Sequence, residues 1–217
     1  MSNLERQNLN KIFLGIVEGS LRQTVKQGVE GAVMRNWEAG GKSGTKWELA
    51  YPAVSGHVKN ISFYDGEHDG KKYTNLQIEF DENENGNSPI VSVGARTRYA
   101  EDIMMKLPNI NFEEEVRLRP FSFVPEGEDR AVTGVEVLQR SGTGNFDKKI
   151  DKKFTKDKPN GMPEPSDDER NDWTLYFRRR NNWLRQYTTE KICSKFIDDI
   201  PRIKSDAPEI DPRDSPF

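Results

Sequence analysis

A chain of 217 residues in which 33 % are hydrophobic and 32 % charged is lean in core-forming side chains for its length, which predicts a modest core carrying polar loops and at least one disordered segment. No apolar run approaches the roughly 18 residues a membrane span requires. The start "MSNLERQNLNK" has no signal-peptide stretch, and a single cysteine, Cys193, excludes an internal disulfide; the expectation is a cytoplasmic protein with no membrane partner.

The net charge of −3 is unevenly placed. From Ser205 onward Asp206, Glu209, Asp211 and Asp214 face only Arg213, a sum of −3, so residues 1–204 sum to zero. The acidity belongs to the end of the chain and does not argue against a polyanion partner for the body.

In chain order, "KIFLGIVEGSLRQTVK" (Lys11 to Lys26) reads as a bent or bulged strand punctuated by Gly15 and Gly19. The turn-rich "EAGGKSGT" separates "GAVMRNW" from "KWELAY" and predicts a hairpin with Trp37 and Trp47 on its arms. "SGHVKNISFYDG" and "KKYTNLQIEFDE" form a second predicted hairpin, with Leu76, Ile78 and Phe80 at period two, and "PIVSVGA" follows as a further strand. "RYAEDIMMKLPNI" places Tyr99, Ile103 and Leu107 at helical spacing and is stopped by Pro108. The strands "EEVRLRPFSFVP" and "RAVTGVEVLQRSG" come next. Strands, one helix, then two strands is the order of a mainly β OB-fold-like Greek-key barrel with one inter-strand helix; a β-sandwich with an incidental helix is the alternative. This body spans 1–142.

From 143 to 165 the chain reads as a basic loop or linker, with six lysines between Lys148 and Lys158. Ser166 and Glu169 make a capping box, so a C-terminal helix packed on the body is expected over 166–200, with Trp173, Phe177, Leu184 and Tyr187 on one face. Residues 201–217 read as a disordered acidic tail for protein interaction.

Catalytic signals are weak. His57 and His68 are the only histidines and lie over a hundred residues from Cys193, without zinc spacing. "GGKSGT" lacks the first glycine and the following helix of a phosphate loop, and "DENENGN" lacks the closing glutamate of a calcium loop. The expectation is a protein that is not an enzyme, with no cofactor and no metal. The β-region instead interleaves cations with rings: Arg35 with Trp37, Lys46 with Trp47, Lys71 and Lys72 with Tyr73, Arg96 and Arg98 with Tyr99, Arg117 and Arg119 with Phe121 and Phe123. Rings that stack on bases and cations that track phosphates hold single-stranded nucleic acid. The plainer account is that half the rings of a barrel point into its core while Lys and Arg decorate its surface. "YFRRRNNWLR" on the last helix is either a solvated face or a second basic surface.

The ending "DSPF" resembles the C-terminal tip of bacterial and phage single-stranded-DNA-binding proteins, in which acidic residues precede a final Pro-Phe; Ser215 and Arg213 depart from that pattern. The body, through "KWELAYPAVSGHV" and "MMKLPNINFEEEVRLRPFSF", also resembles phage-type OB-fold members. The resemblance implies binding of single-stranded DNA, in the host cytoplasm if the protein is viral. It also implies recruitment of replication or recombination proteins, with Phe217 and Pro216 entering an apolar pocket and Asp211 and Asp214 meeting its basic rim. A structural or adaptor protein without nucleic-acid binding is the alternative.

Overall fold

The computed structural model describes residues 10–39, 42–68, 70–142, 144–170 and 172–196. The chain is mainly β. Its strands are β1 (Asn10–Val17), β2 (Ser20–Val25), β3 (Val33–Ala39), β4 (Lys42–Tyr51), β5 (Val54–Gly56), β6 (Val58–His68), β7 (Lys71–Phe80), β8 (Asn87–Gly94), β9 (Val116–Phe123), β10 (Val132–Arg140) and β11 (Phe146–Lys149). Two α-helices accompany them, α1 (Arg98–Lys106) and α2 (Trp173–Lys191).

The strands form two open sheets. One has seven strands in the order β3-β4-β2-β1-β8-β7-β6, the other four in the order β11-β10-β9-β5. Every ladder is antiparallel except β1 against β8. β5 and β6 are nearly one run, yet β5 pairs with β9 and β6 with β7, so the chain crosses between sheets at His57. Asp81 fixes that corner: its backbone N–H donates to His57 O at 2.9 Å, and its carboxylate accepts from His57 N at 3.2 Å. A Cβ at Gly56 would stand 2.5 Å from Asp81 Oδ1, so a larger residue there would displace the carboxylate that fixes the corner.

The segment read as one bent strand is a hairpin. Glu18 and Gly19 both have positive φ (50° and 76°), as a two-residue loop matched to strand twist requires. Gly19 also abuts β9, where a Cβ would lie 2.4 Å from Ser122 N. Periodicity over Lys11 to Lys26 could not reveal the break, because the pattern remains apolar on both sides of it.

The core lies between the sheets. Leu14, Leu21, Ile61, Leu76, Ile78, Phe80, Val91 and Val93 from the larger sheet meet Val116, Leu118, Val135 and Val137 from the smaller, with Ile103, Met104 and Leu107 between them. Helix α1 is capped by Thr97, whose hydroxyl accepts from Ala100 N.

Two expectations are corrected here. The lysine-rich stretch is not a linker: β11 pairs with β10, and Ile150, Phe154 and Met162 enter the same core. Phe154 meets Trp183 and Tyr187 edge-on at 5.0 and 4.9 Å. Three apolar residues among many charges were enough to anchor the segment, a pattern that a count of lysines conceals. The C-terminal helix also starts later than its capping box suggested. Ser166 and Glu169 do exchange hydrogen bonds, but they cap a short 3-10 turn, Asp168–Arg170, and α2 begins after Asp172, whose carboxylate accepts from Thr174 N. Its buried face is Tyr176, Asn181, Leu184 and Thr188, while Trp173 and Phe177 are about half exposed. The expected helix over 166–200 and tail over 201–217 extend, from 197 onward, outside the described residues. No helix among the described residues is long and apolar enough to cross a membrane.

Candidate nucleic-acid interface

Strand pairing sorts the basic and aromatic side chains by face, because residues directly opposite share a side. The core side of the seven-stranded sheet carries Leu76, Ile78 and Ile61. The outer side carries Tyr64, Tyr73 and Lys71 from β6 and β7, Phe13 and Lys11 from β1, Arg22 from β2, Lys46 from β4, and Arg35 and Trp37 from β3. Trp47 is opposite Met34 and falls on the other side, as does Lys72 by alternation.

Three rings share one device. Trp37, Tyr73 and Phe121 each stand opposite a glycine on the neighbouring strand: Gly44, Gly66 and Gly134. A Cβ on those glycines would lie 3.0 Å, 2.5 Å and 2.7 Å from the respective ring. Each ring therefore lies down across its partner strand, one face against backbone. Tyr73 remains 41 % exposed and Tyr64, 6.3 Å away, 50 %, so their other faces meet solvent.

At the C-terminal end of β8 two grooves meet. One, of about 750 Å³, runs past Lys72, Tyr73, Asn75 and Gly94 to Arg96. The other, of about 640 Å³, continues from Arg96 and Arg98 between α1 and α2. Its further cations are Lys152, Lys156 and Arg180, and its rings are Phe154, Tyr176 and Phe177. Five cations face two carboxylates, Glu101 and Asp102, an excess of three positive charges. Arg180 is held by Glu101 at 2.8 Å and lies over the rings of Tyr176 and Phe177 at 5.3 and 5.0 Å. Among the described residues Arg96, Arg98 and Lys156 make no ion pair, and both arginines are exposed.

The wall beneath this groove is a buried charge network. Asp102 accepts from Lys106 Nζ at 2.8 Å, from Val135 N at 2.7 Å and from Lys152 Nζ at 2.7 Å, while Lys106 also donates to Val135 O at 2.5 Å. Burial alone would raise the Asp102 carboxyl, but the three hydrogen bonds outweigh it and hold the group below the ordinary aspartate range. The network ties α1, β10 and the lysine-rich segment into one unit.

The remaining expected contacts lie elsewhere. Arg117, Arg119 and Phe121 alternate along the outer side of β9. Arg119 pairs with Glu136, and Arg117 lies over the Phe146 ring at 4.1 Å. Arg35 is clamped by both oxygens of Glu48 at 2.7 and 3.0 Å, and this hydrogen bonding lowers the Glu48 carboxyl. The structure thus gathers Lys72, Tyr73, Arg96 and Arg98, sets Arg35, Trp37, Lys46 and Lys71 on the outer face of the larger sheet, and puts Arg117, Arg119 and Phe121 on the smaller sheet. Phe13, Tyr64 and Lys156 stand beside the expected residues without having been singled out in the sequence, whereas Phe177 and Arg180 belong to the segment "YFRRRNNWLR" read there as a solvated face or a second basic surface. Tyr64 could have been found as the strand-alternate partner of Tyr73; the groove's α2 wall comes from a distant part of the chain. Asp211, Asp214, Pro216 and Phe217 lie outside the described residues.

Cys193 is partly buried and burial pushes its thiol up to about 11, which keeps it protonated at neutral pH. Among the described residues no three His, Cys, Asp or Glu side chains converge as metal ligands. No family model, no curated protein and no solved structure matches this chain.

Proposed function

We propose that the protein binds single-stranded DNA without sequence preference, in replication, recombination or repair, and recruits partner proteins through residues 201–217. The observation that carries this reading is the junction at Arg96. Two exposed arginines that make no ion pair among the described residues stand between exposed tyrosines on one side and an aromatic, cationic wall on the other. Single strands need this combination, since stacking is indifferent to base identity and each stacked base contributes about 1–3 kcal/mol. Unpaired cations add affinity by releasing counterions from the phosphates.

The element order supports an OB-like frame for this surface. A meander β6-β7-β8 precedes α1, the hairpin β9-β10 follows it, and the run β5–β6 joins both sheets. In such frames oligonucleotides bind on the face of the second and third strands and its bordering loops, which here are β7 and β8 with Tyr73 and Arg96. The far edge of β8 carries β1 in parallel, so the sheet widens there by four more strands.

The test is a fluorescence titration with single-stranded and duplex oligonucleotides at low and high salt. Trp173, half exposed and 6.1 Å from the Phe177 ring of the groove, supplies the signal. Single-strand preference that weakens with salt supports the reading, and equal affinity for duplex or indifference to salt defeats it. For the tail, a host pull-down with intact and Phe217-deleted protein should show loss of partners in the deletion, because a terminal ring seated in a pocket concentrates binding energy.

A further inference from the structure

The outer face of β1 to β4 contains a third groove, away from the Arg96 junction. Its lining includes Lys11, Phe13, Gly15, Arg22, Lys46 and Glu48, and it reaches Ser92 on β8. Arg35 also borders it, so four cations face one carboxylate. Arg35 is clamped on Glu48, and Lys11 is paired with Glu79. Among the described residues Arg22 and Lys46 make no such ion pair, although both help to lower the Glu48 carboxyl; Arg22 Nε is buried without a hydrogen bond, and Lys46 is exposed, 5.3 Å from the Trp37 ring. Phe13 is 53 % exposed in the middle of the groove.

Gly15 forms the floor. Its backbone is not in the left-handed region, and an added Cβ would meet nothing nearer than Arg22 O at 4.0 Å. Neither conformation nor packing requires glycine there. A side chain at 15 would project, by strand alternation, on the side that carries Phe13 and Arg22. The glycine keeps the groove open.

This groove continues the first surface. Asn75 donates to Ser92 at 3.1 Å on the same face, linking the Tyr73 region to the floor at Gly15 and Arg22. From β7 to β3 the path crosses five strand spacings, about 24 Å. Resting on the single-stranded-DNA reading above, we propose that the strands added beyond β8 form a second contact track. It takes the sugar-phosphate backbone on Arg22 and Lys46 and stacks bases on Phe13 and Trp37, so the bound strand extends from the Arg96 junction across the larger sheet.

The test compares a short oligonucleotide of about six residues, within one OB-type site, with one of about thirty, bound to the full chain and two variants. In Gly15→Val a β-branched side chain suited to a strand fills the groove; Phe13→Ala/Lys46→Ala removes two exposed side chains, so it keeps the test valid even if Gly15→Val folds poorly. The intact protein is expected to bind the long strand more tightly than the short. Both variants should bind the short strand unchanged and the long strand about tenfold more weakly, the equivalent of one lost stack. Unchanged long-strand affinity in a folded variant overturns the second track and leaves the Arg96 junction standing. Absence of binding to either length by the intact protein overturns the single-stranded-DNA reading itself.

Discussion

Two basic surfaces of this molecule have similar sequence signatures and different electrostatics. On the outer side of the four-stranded sheet nearly every cation is engaged: Arg119 and Lys149 with Glu136, Arg140 with Glu115 at 2.7 Å, and Arg117 over Phe146. At the Arg96 junction Arg96, Arg98 and Lys156 are unpaired among the described residues. A cation already neutralised by a carboxylate has little to offer a phosphate, so charge density along the chain does not measure the capacity to bind a polyanion. The difference lies in which strand stands next to which.

The largest expected effect comes from the network under the groove. Asp102→Ala leaves Lys106, 7 % exposed, as a buried charge without its partner and should cost about 3–5 kcal/mol of stability, read as a fall in denaturation midpoint. Phe154→Ala should cost a similar ~3–5 kcal/mol through the cavity it leaves beneath Trp183 and Tyr187. A linker would tolerate that change without loss.

Next in size is the comparison itself. Arg96→Ala/Arg98→Ala should flatten the slope of log affinity against log salt by about 1.4, two phosphate contacts on a single strand. Arg119→Ala/Arg140→Ala, which removes as much formal charge from the other surface, should leave the slope nearly unaltered. Equal effects from the two double variants would show that the pairing seen on the smaller sheet does not withhold its arginines from DNA.

A smaller effect concerns pH. Because the folded-state carboxyl of Asp102 is depressed, its contribution is present above the ordinary aspartate pKa and is lost as pH falls through the folded value. Stability should therefore decline below about pH 4, and Asp102→Asn, already destabilised, should show a flatter acid limb in the same range. A wild-type acid limb that Asp102→Asn leaves unchanged would assign the acid sensitivity to other carboxylates, such as Glu48.

The smallest expected change in stability is from deleting 206–217. The melting temperature should hold. Affinity for single strands at low salt should rise, since the deletion removes three units of negative charge tethered to a body that is neutral in sum but carries basic grooves. A lowered melting temperature would mean that the segment packs on the body.

Much of the fold was legible in the order of residues. The period-two run Leu76, Ile78, Phe80, the tryptophan-bearing hairpin and the helix stopped by Pro108 all follow from local spacing, because a strand or helix face is set by its own alternation. Local pattern also showed cations interleaved with rings, but not the pairs they form: Lys46 stands over Trp37 rather than Trp47, and Arg117 over Phe146 rather than Phe121. What it could not supply was partnership. That Phe154 anchors a lysine-rich segment, that Arg119 is neutralised while Arg96 meets no carboxylate among the described residues, and that α2 walls a groove opened by β8 each depend on contacts between residues distant in the chain. Alternation fixes which way a side chain points; only tertiary packing fixes what it meets, and the availability of a charge or ring to a ligand is decided by what it meets.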